Sequence, residues 1–279
     1  MPEGDTIFRT ARALQKAFGG KVVTAFETGL AHLARVHDDS PVVGRTVEKV
    51  ESRGKWCLIY FSGDLVLVTH MLMSGTWHIY RPGEKWWIAR SHMRAAITCG
   101  DYQAVAFNVP IAEFHTAHSL TRHPKIQKLG PDILDENFTH ASGLAALRSY
   151  QETHPQEEVG VTLLNQRVIA GLGNVYKSEV AFAAAVHPFR KIGALTDQEM
   201  AAIVQISETY MRSNVMDGSG DGIVTYTGHR RTTRAMKSSD RLWVYGRRGE
   251  ECRRCGAEIE MRKQGEQVRS TYWCPGCQK

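Results

Sequence analysis

The sequence predicts an α+β chain: an N-terminal β-sandwich with an N-terminal helix, a helical domain, and a C-terminal β-hairpin closed by a four-cysteine finger. Three observations lead there. Short β-rich runs fill the stretch from Val22 to about Phe107, helical spacing takes over after His123-Pro124, and two Cys-X-X-Cys knuckles stand near the C-terminus. A length of 279 residues suits roughly two domains and a substantial core without disulfides. The changes of pattern divide the chain into 1–122, 123–241 and 242–279.

Each element has a local reason. Ile7, Ala11, Leu14 and Phe18 fall on one helical face. Asp5 or Thr6 can cap that helix and Gly19-Gly20 ends it, which leaves an exposed, extended terminus before the cap. Strands are expected at Trp56–Phe61, Leu65–Thr69 and Gly75–Tyr80, with a tight hairpin at Ser62-Gly63-Asp64. Leu144–Leu147, Val161–Gln166, Val175–Val186 and Gln198–Met211 read as helices. Residues 214–241 are polar and Gly-rich and read as a mobile loop.

Composition narrows the function classes. Hydrophobic residues make up 42% and charged residues 23%, which excludes a collagen, a coiled coil and a largely disordered chain. The net charge is +6, yet residues 1–228 carry −1 and residues 229–279 carry +7. The basic excess therefore sits in the last fifth, either as a solvated tail or as a nucleic-acid contact. Met1–Asp5 has neither the basic nor the apolar region of a secretory signal. The most apolar stretch, Ala170–Phe189, is broken by Lys177 and Glu179, so no membrane span is expected. Cys57 and Cys99 read as reduced core thiols, and a cytosolic compartment fits best.

Cys252-Arg-Arg-Cys255 and Cys274-Pro-Gly-Cys277 supply four soft thiolates, the donor set of structural zinc. A redox dithiol or two disulfides are the alternatives. Because protein fills all four positions, the metal is structural. The strand-like runs between the knuckles make a zinc-finger β-hairpin presenting Arg262, Lys263 and Arg269. Gly171-Leu-Gly173-Asn174 is a turn between two helices, and the second helix starts near Asn174. A helix start can hold a phosphate, although a Gly-containing helical hairpin is common without one. Removal of Met1 would leave Pro2 as a secondary amine able to attack C1′, with Glu3 beside it as proton donor or acceptor. Many proteins begin Met-Pro without such chemistry.

Terminus, turn and finger occur together in this order, and the set resembles the formamidopyrimidine-DNA glycosylase/endonuclease VIII family. Ser52-Arg-Gly-Lys55, Met73-Ser-Gly75, Leu129-Gly-Pro-Asp132, Val244-Tyr-Gly-Arg247 and Arg269–Cys274 extend the resemblance over essentially the whole chain. It implies a helix-two-turns-helix domain and a bifunctional DNA glycosylase and abasic-site lyase. Pro2 matches the Schiff-base nucleophile and Glu3 the acid that protonates the opening deoxyribose. Lys55 matches the proton donor of β-elimination, and Arg269 the finger arginine of δ-elimination and phosphate binding. Asn174 matches a backbone-phosphate ligand, and Lys128 falls at a basic DNA contact. Leu72 and Met73, on a predicted hairpin tip, match the wedge that fills the hole left by the flipped nucleotide; otherwise they are ordinary core.

Two departures stand out. Family members commonly carry Glu where Thr6 stands, with Asp5 the nearest carboxylate. The stretch Phe107–Phe114 lacks the void-filling arginines of the formamidopyrimidine branch, which favours the endonuclease VIII branch and oxidised pyrimidines. Tyr226–His229 nevertheless stands where a lesion-capping loop would be. The expected partner is damaged DNA and the expected state a monomer. The alternatives are a non-catalytic DNA-damage-binding protein on the same scaffold and a zinc-ribbon RNA-binding protein.

Overall fold

The computed structural model describes residues 2–216, 222–226 and 238–279. The chain forms two compact units, 1–128 and 129–279. In chain order the first contains α1 (Gly4–Phe18), β1 (Ala25–Thr28), α2 (Ala31–Asp39), β2 (Val47–Arg53), β3 (Trp56–Phe61) and β4 (Leu65–His70). Then come β5 (Thr76–Tyr80), β6 (Met93–Cys99), β7 (Tyr102–Phe107), β8 (Ile111–His115) and α3 (Ala117–Leu120).

The strands make two four-stranded sheets, ordered β1-β6-β7-β5 and β2-β3-β4-β8. Ile59, Phe61 and Leu67 of one sheet and Phe26, Trp77, Ile97 and Ala106 of the other share one buried core, so the sheets form a sandwich. Alternation sets which residues enter it, since every second side chain faces inward. Helix α1 adds Ile7, Ala11, Leu14 and Phe18 to the same core, the face expected from their spacing. The Ser62–Asp64 hairpin forms as expected, with Gly63 and Asp64 both at positive φ. Burial pushes the thiols of Cys57 and Cys99 up to about 12 and about 11, consistent with inert core residues.

Three expectations are corrected here. The first helix starts at Gly4 with Glu3 at its N-cap position, and neither Asp5 nor Thr6 caps it. The terminus before it is not exposed: Glu3 is fully buried and Pro2 half-buried. A helix, α2, also lies within the stretch read as β-rich, held by Leu33 in the core and by His32 Nε2 against the Ala112 carbonyl (2.7 Å).

The second unit contains α4 (His140–Thr153), α5 (Val159–Leu164), α6 (Asn174–Ala183), α7 (Asp197–Met216) and the hairpin β9 (Glu260–Gln264) and β10 (Arg269–Trp273). Gly171 sits in the turn before α6 at φ +105, and a Cβ there would meet Met211 at 2.9 Å. Both the backbone angle and the contact call for glycine. Helix α7 runs to Met216, so residues 214–216, expected in a loop, are helical. Asn214 explains the extension: its Nδ2 donates to the carbonyls of Tyr210 and Val224, and its Oδ1 accepts from Val224 N–H. The remainder of the expected 214–241 loop, with residues 227–229 of the expected capping segment, falls largely outside the described residues. Among the described residues, no helix is long and apolar enough to cross a membrane.

Candidate active site

Helix α1 and strand β2 run antiparallel. Val50 N–H donates to Gln15 Oε1 (2.5 Å) and Gly20 N–H to the Val47 carbonyl (2.8 Å). Back from Gln15 to Glu3 the helix covers about 18 Å at its usual rise. From Val50 to its end at Arg53 the strand covers about 10 Å, and the turn that carries Lys55 follows. The start of α1 and the turn between β2 and β3 therefore lie toward the same end of the sandwich.

Lys55 lies in the turn between β2 and β3, where Gly54 takes φ +56. The next residue, Trp56, packs edge-on against His70 (4.6 Å) and His123 (4.9 Å). Strand pairing sets Trp56 opposite His70, so the segment after β4 leaves from the same end. That segment carries Leu72, at φ +47 and 45% exposed, and Met73, 66% exposed. Neither is core. Gly75 N–H donates to the Met71 carbonyl (2.8 Å), closing the tip. A Cβ on Gly75 would meet that carbonyl oxygen at 2.7 Å. Lys128 ends a short 3-10 helix, Ile126–Lys128, and is exposed; the segment before it packs on Trp56 through His123.

Glu3 is fully buried, and its carbonyl accepts the Ile7 N–H (3.1 Å). Asp5 is also fully buried, beside Arg9 (3.6 Å). Burial pushes its carboxyl up, against the opposing pull of Arg9.

His70 was not singled out by sequence. Burial, with the charges of Lys55 and Lys125 adding to it, pulls its imidazole down to about 4. Its Nδ1 accepts the Leu72 N–H (3.1 Å), so the neutral ring presents Nε2–H as a donor. An unfolded histidine titrates near 6.5. Between the two values the unfolded chain binds the extra proton, so this contribution to stability is complete above about pH 6.5 and is lost toward pH 4. The gap is worth at most about 3 kcal/mol. Unfolding in urea at pH 7 and pH 4.5 should show a larger loss for the wild type than for His70→Gln; equal losses would contradict it.

Glu113, His115 and His123 also gather their ligand atoms within 4.8 Å. His123 Nδ1 accepts the Ile126 N–H (3.1 Å), so the neutral ring carries its proton on Nε2, the atom facing Glu113. That atom is a donor and not a metal ligand, and the trio builds no metal site.

In the second unit, Asn174 is the first residue of α6 and 6% exposed. Its Nδ2 donates to Tyr245 Oη (3.4 Å), and its buried Oδ1 makes no hydrogen bond among the described residues. Glu179, not anticipated as a site residue, is fully buried and accepts from the N–H groups of Trp243, Val244 and Tyr245 and from the Thr225 hydroxyl. That carboxylate fixes the strap carrying Tyr245 and hence the partner of Asn174. Arg269, half-buried at the start of β10, donates from Nε and Nη2 to Gln267 Oε1 (both 3.2 Å).

The four finger cysteines are free thiols whose sulfurs all lie within 4.8 Å of one another. Two pairs stand at 3.4 Å and 3.9 Å. Four sulfurs around a tetrahedral zinc ion stand about 3.8 Å apart, so the cluster fits a metal ion. Backbone N–H donation from Ala257 pulls Cys255 down to about 7. Burial first, then the neighbouring sulfurs, pushes Cys274 and Cys277 up.

The chain thus joins a two-sheet sandwich to a helical unit bearing a four-thiol finger. Comparison with known proteins agrees. Residues 1–110 match the formamidopyrimidine-DNA glycosylase N-terminal domain and residues 129–225 its H2TH domain. The chain is 34% identical to probable endonuclease 8 2 of Streptomyces coelicolor, over all of this chain and 94% of that protein. It is likewise 34% identical to the DNA-(apurinic or apyrimidinic site) lyase Nei2 of Mycolicibacterium smegmatis, over all of this chain and 99% of that one. Its fold matches Lactococcus lactis Fpg, crystallised with abasic-site DNA, at a TM-score of 0.80 and 23% identity over the whole of both chains. The chain belongs to the formamidopyrimidine-DNA glycosylase/endonuclease VIII family, and with it to the DNA glycosylases and abasic-site lyases.

Proposed function

We propose that this chain is a bifunctional DNA glycosylase and abasic-site lyase for oxidised bases, pyrimidines favoured, acting through Pro2. The observation that carries the reading is the gathering of Pro2 and Glu3, Lys55 and the exposed Leu72-Met73 tip at one end of the sandwich. The segments 1–122, 123–241 and 242–279 then serve as catalytic domain, helix-two-turns-helix domain and finger. Four reduced thiols suit a cytosolic compartment, and the chemistry needs only one copy of the chain.

The neutral Pro2 amine bonds to C1′, the C1′–N bond breaks with its electron pair leaving on the base, and the proton given up by the amine passes to that base. Glu3 gives a proton to O4′ as the C1′–O4′ bond opens, which yields the iminium. Loss of the C2′ proton expels the 3′ phosphate, with Lys55 as proton donor. A second elimination, assisted by Arg269, expels the 5′ phosphate. Leu72 and Met73 wedge into the stack, offsetting part of the few kcal/mol of unstacking. Lys55, Lys128, Asn174 and Arg269 hold the backbone phosphates. Zinc held by Cys252, Cys255, Cys274 and Cys277 would supply only a rigid finger.

The test is strand cleavage of duplexes carrying an abasic site, thymine glycol or 8-oxoguanine. Cleavage leaving phosphates on both sides, faster for thymine glycol than for 8-oxoguanine, is expected. Tight binding of all three without cleavage would instead identify a damage-binding protein. Cys274→Ser should lose the metal and bind DNA less tightly, with a shallower dependence on salt. Unchanged affinity and slope would place the finger outside the DNA site.

A further inference from the structure

The finger hairpin is fastened to the helices by a buried side-chain network. Lys177 of α6 is fully buried, and its Nζ donates to Thr271 Oγ1 (2.6 Å) and to the Ser270 carbonyl (3.2 Å). The Thr271 hydroxyl, also fully buried, donates onward to Gln264 Oε1 (2.8 Å). Gln264 Nε2 donates to Glu158 Oε2 (2.9 Å) and to the Pro188 carbonyl (2.8 Å). Alongside, Tyr272 N–H donates to Ser178 Oγ (3.3 Å).

The direction of this chain is forced. An ammonium only donates and a carboxylate only accepts, so the threonine and glutamine between them have one arrangement that satisfies both ends. A buried network satisfied throughout specifies one geometry, and a broken one leaves costly unpaired groups. Gly160 supports it, because a Cβ there would come within 2.2 Å of Gln264 Oε1.

The network also touches the hairpin where it matters. Gln264 is the cross-strand neighbour of Arg269, and Lys177 grips the carbonyl of Ser270, the next residue. We propose that Lys177, Thr271 and Gln264 form a metal-independent clamp that sets the hairpin on α6 and thereby positions Arg269. The clamp spans α6 to the N-cap of α5 and uses none of the four thiols. For DNA binding the proposal rests on the reading of Arg269 as a backbone contact.

Lys177→Met, Thr271→Val and Thr271→Ser are compared in the full-length protein with metal content measured. Lys177→Met and Thr271→Val should keep the metal, weaken DNA binding about tenfold near 0.1 M salt and lower the salt slope by about one. Thr271→Ser, which retains the hydroxyl, should bind like wild type. Adding Arg269→Ala to Lys177→Met should weaken binding no further, because both remove one contact; additive losses would overturn the positioning role. The second arm is amide hydrogen exchange of β9 and β10 after chelation of the metal. Metal-free wild type should keep its protection and metal-free Thr271→Val should lose it. Equal loss in both would overturn the clamp. Should Arg269→Ala alone leave DNA binding unchanged, the reading of Arg269 fails, and the exchange arm still decides the clamp.

Discussion

Pro2→Gly protein is expected to bind abasic-site DNA and to form no borohydride-trapped adduct. With Met1 removed, the pyrrolidine ring locks rotation about the Pro2 N–Cα bond and leaves a secondary amine pointing in one direction. Glycine keeps an amine but gives up that direction, since it populates many more backbone states. Attack on C1′ depends on placement within a few tenths of an ångström, and misplacement by about 1 Å can cost about a hundredfold. Pro2 is half-buried, next to the fully buried Glu3, so its surroundings define its position in the wild type. The phosphate contacts proposed for Lys55, Asn174 and Arg269 are untouched by the substitution, so DNA affinity should persist. Retained trapping would remove Pro2 from the nucleophile's role. A retained Met1, or any N-terminal tag, should block the adduct for the same reason.

The second large effect is expected from Glu3→Gln. Glutamine matches glutamate in size, so the buried site opens no cavity, but it cannot hand over a proton. Loss of a positioned general acid costs about 10²- to 10⁴-fold. Base release from thymine-glycol duplex should fall by that amount while binding stays near wild type. A rate within a few-fold of wild type would show that Glu3 is not the acid. Asp5 is the next carboxylate to examine, since it lies fully buried on the inner face of α1 where Thr6 leaves no second glutamate.

Much of this scaffold is legible in the sequence because its signals are local. Short β-rich runs locate β3, β4 and β5, and Gly171-Leu-Gly173 marks the start of α6 at Asn174. Helix α2 was missed because its nine residues put only Leu33 fully into the core, too few for a periodic stripe. The start of α1 was misplaced because side-chain chemistry favours Asp or Thr at an N-cap. Burial of Glu3, a tertiary effect, decided instead. His70 depends on strand register, which sets it against Trp56. Lys177 and Glu179 read as mere interruptions of an apolar stretch. Their partners stand 46 to 94 residues away, at Thr225, Trp243–Tyr245 and Ser270-Thr271, and no local pattern announces them.

The most direct test of the central claim is borohydride trapping on an abasic-site duplex, using protein whose mature terminus is verified as Pro2. A covalent adduct mapped by mass spectrometry to Pro2, and absent from Pro2→Gly, is the predicted result. No adduct despite measurable binding, or an adduct mapped to a lysine, would contradict it.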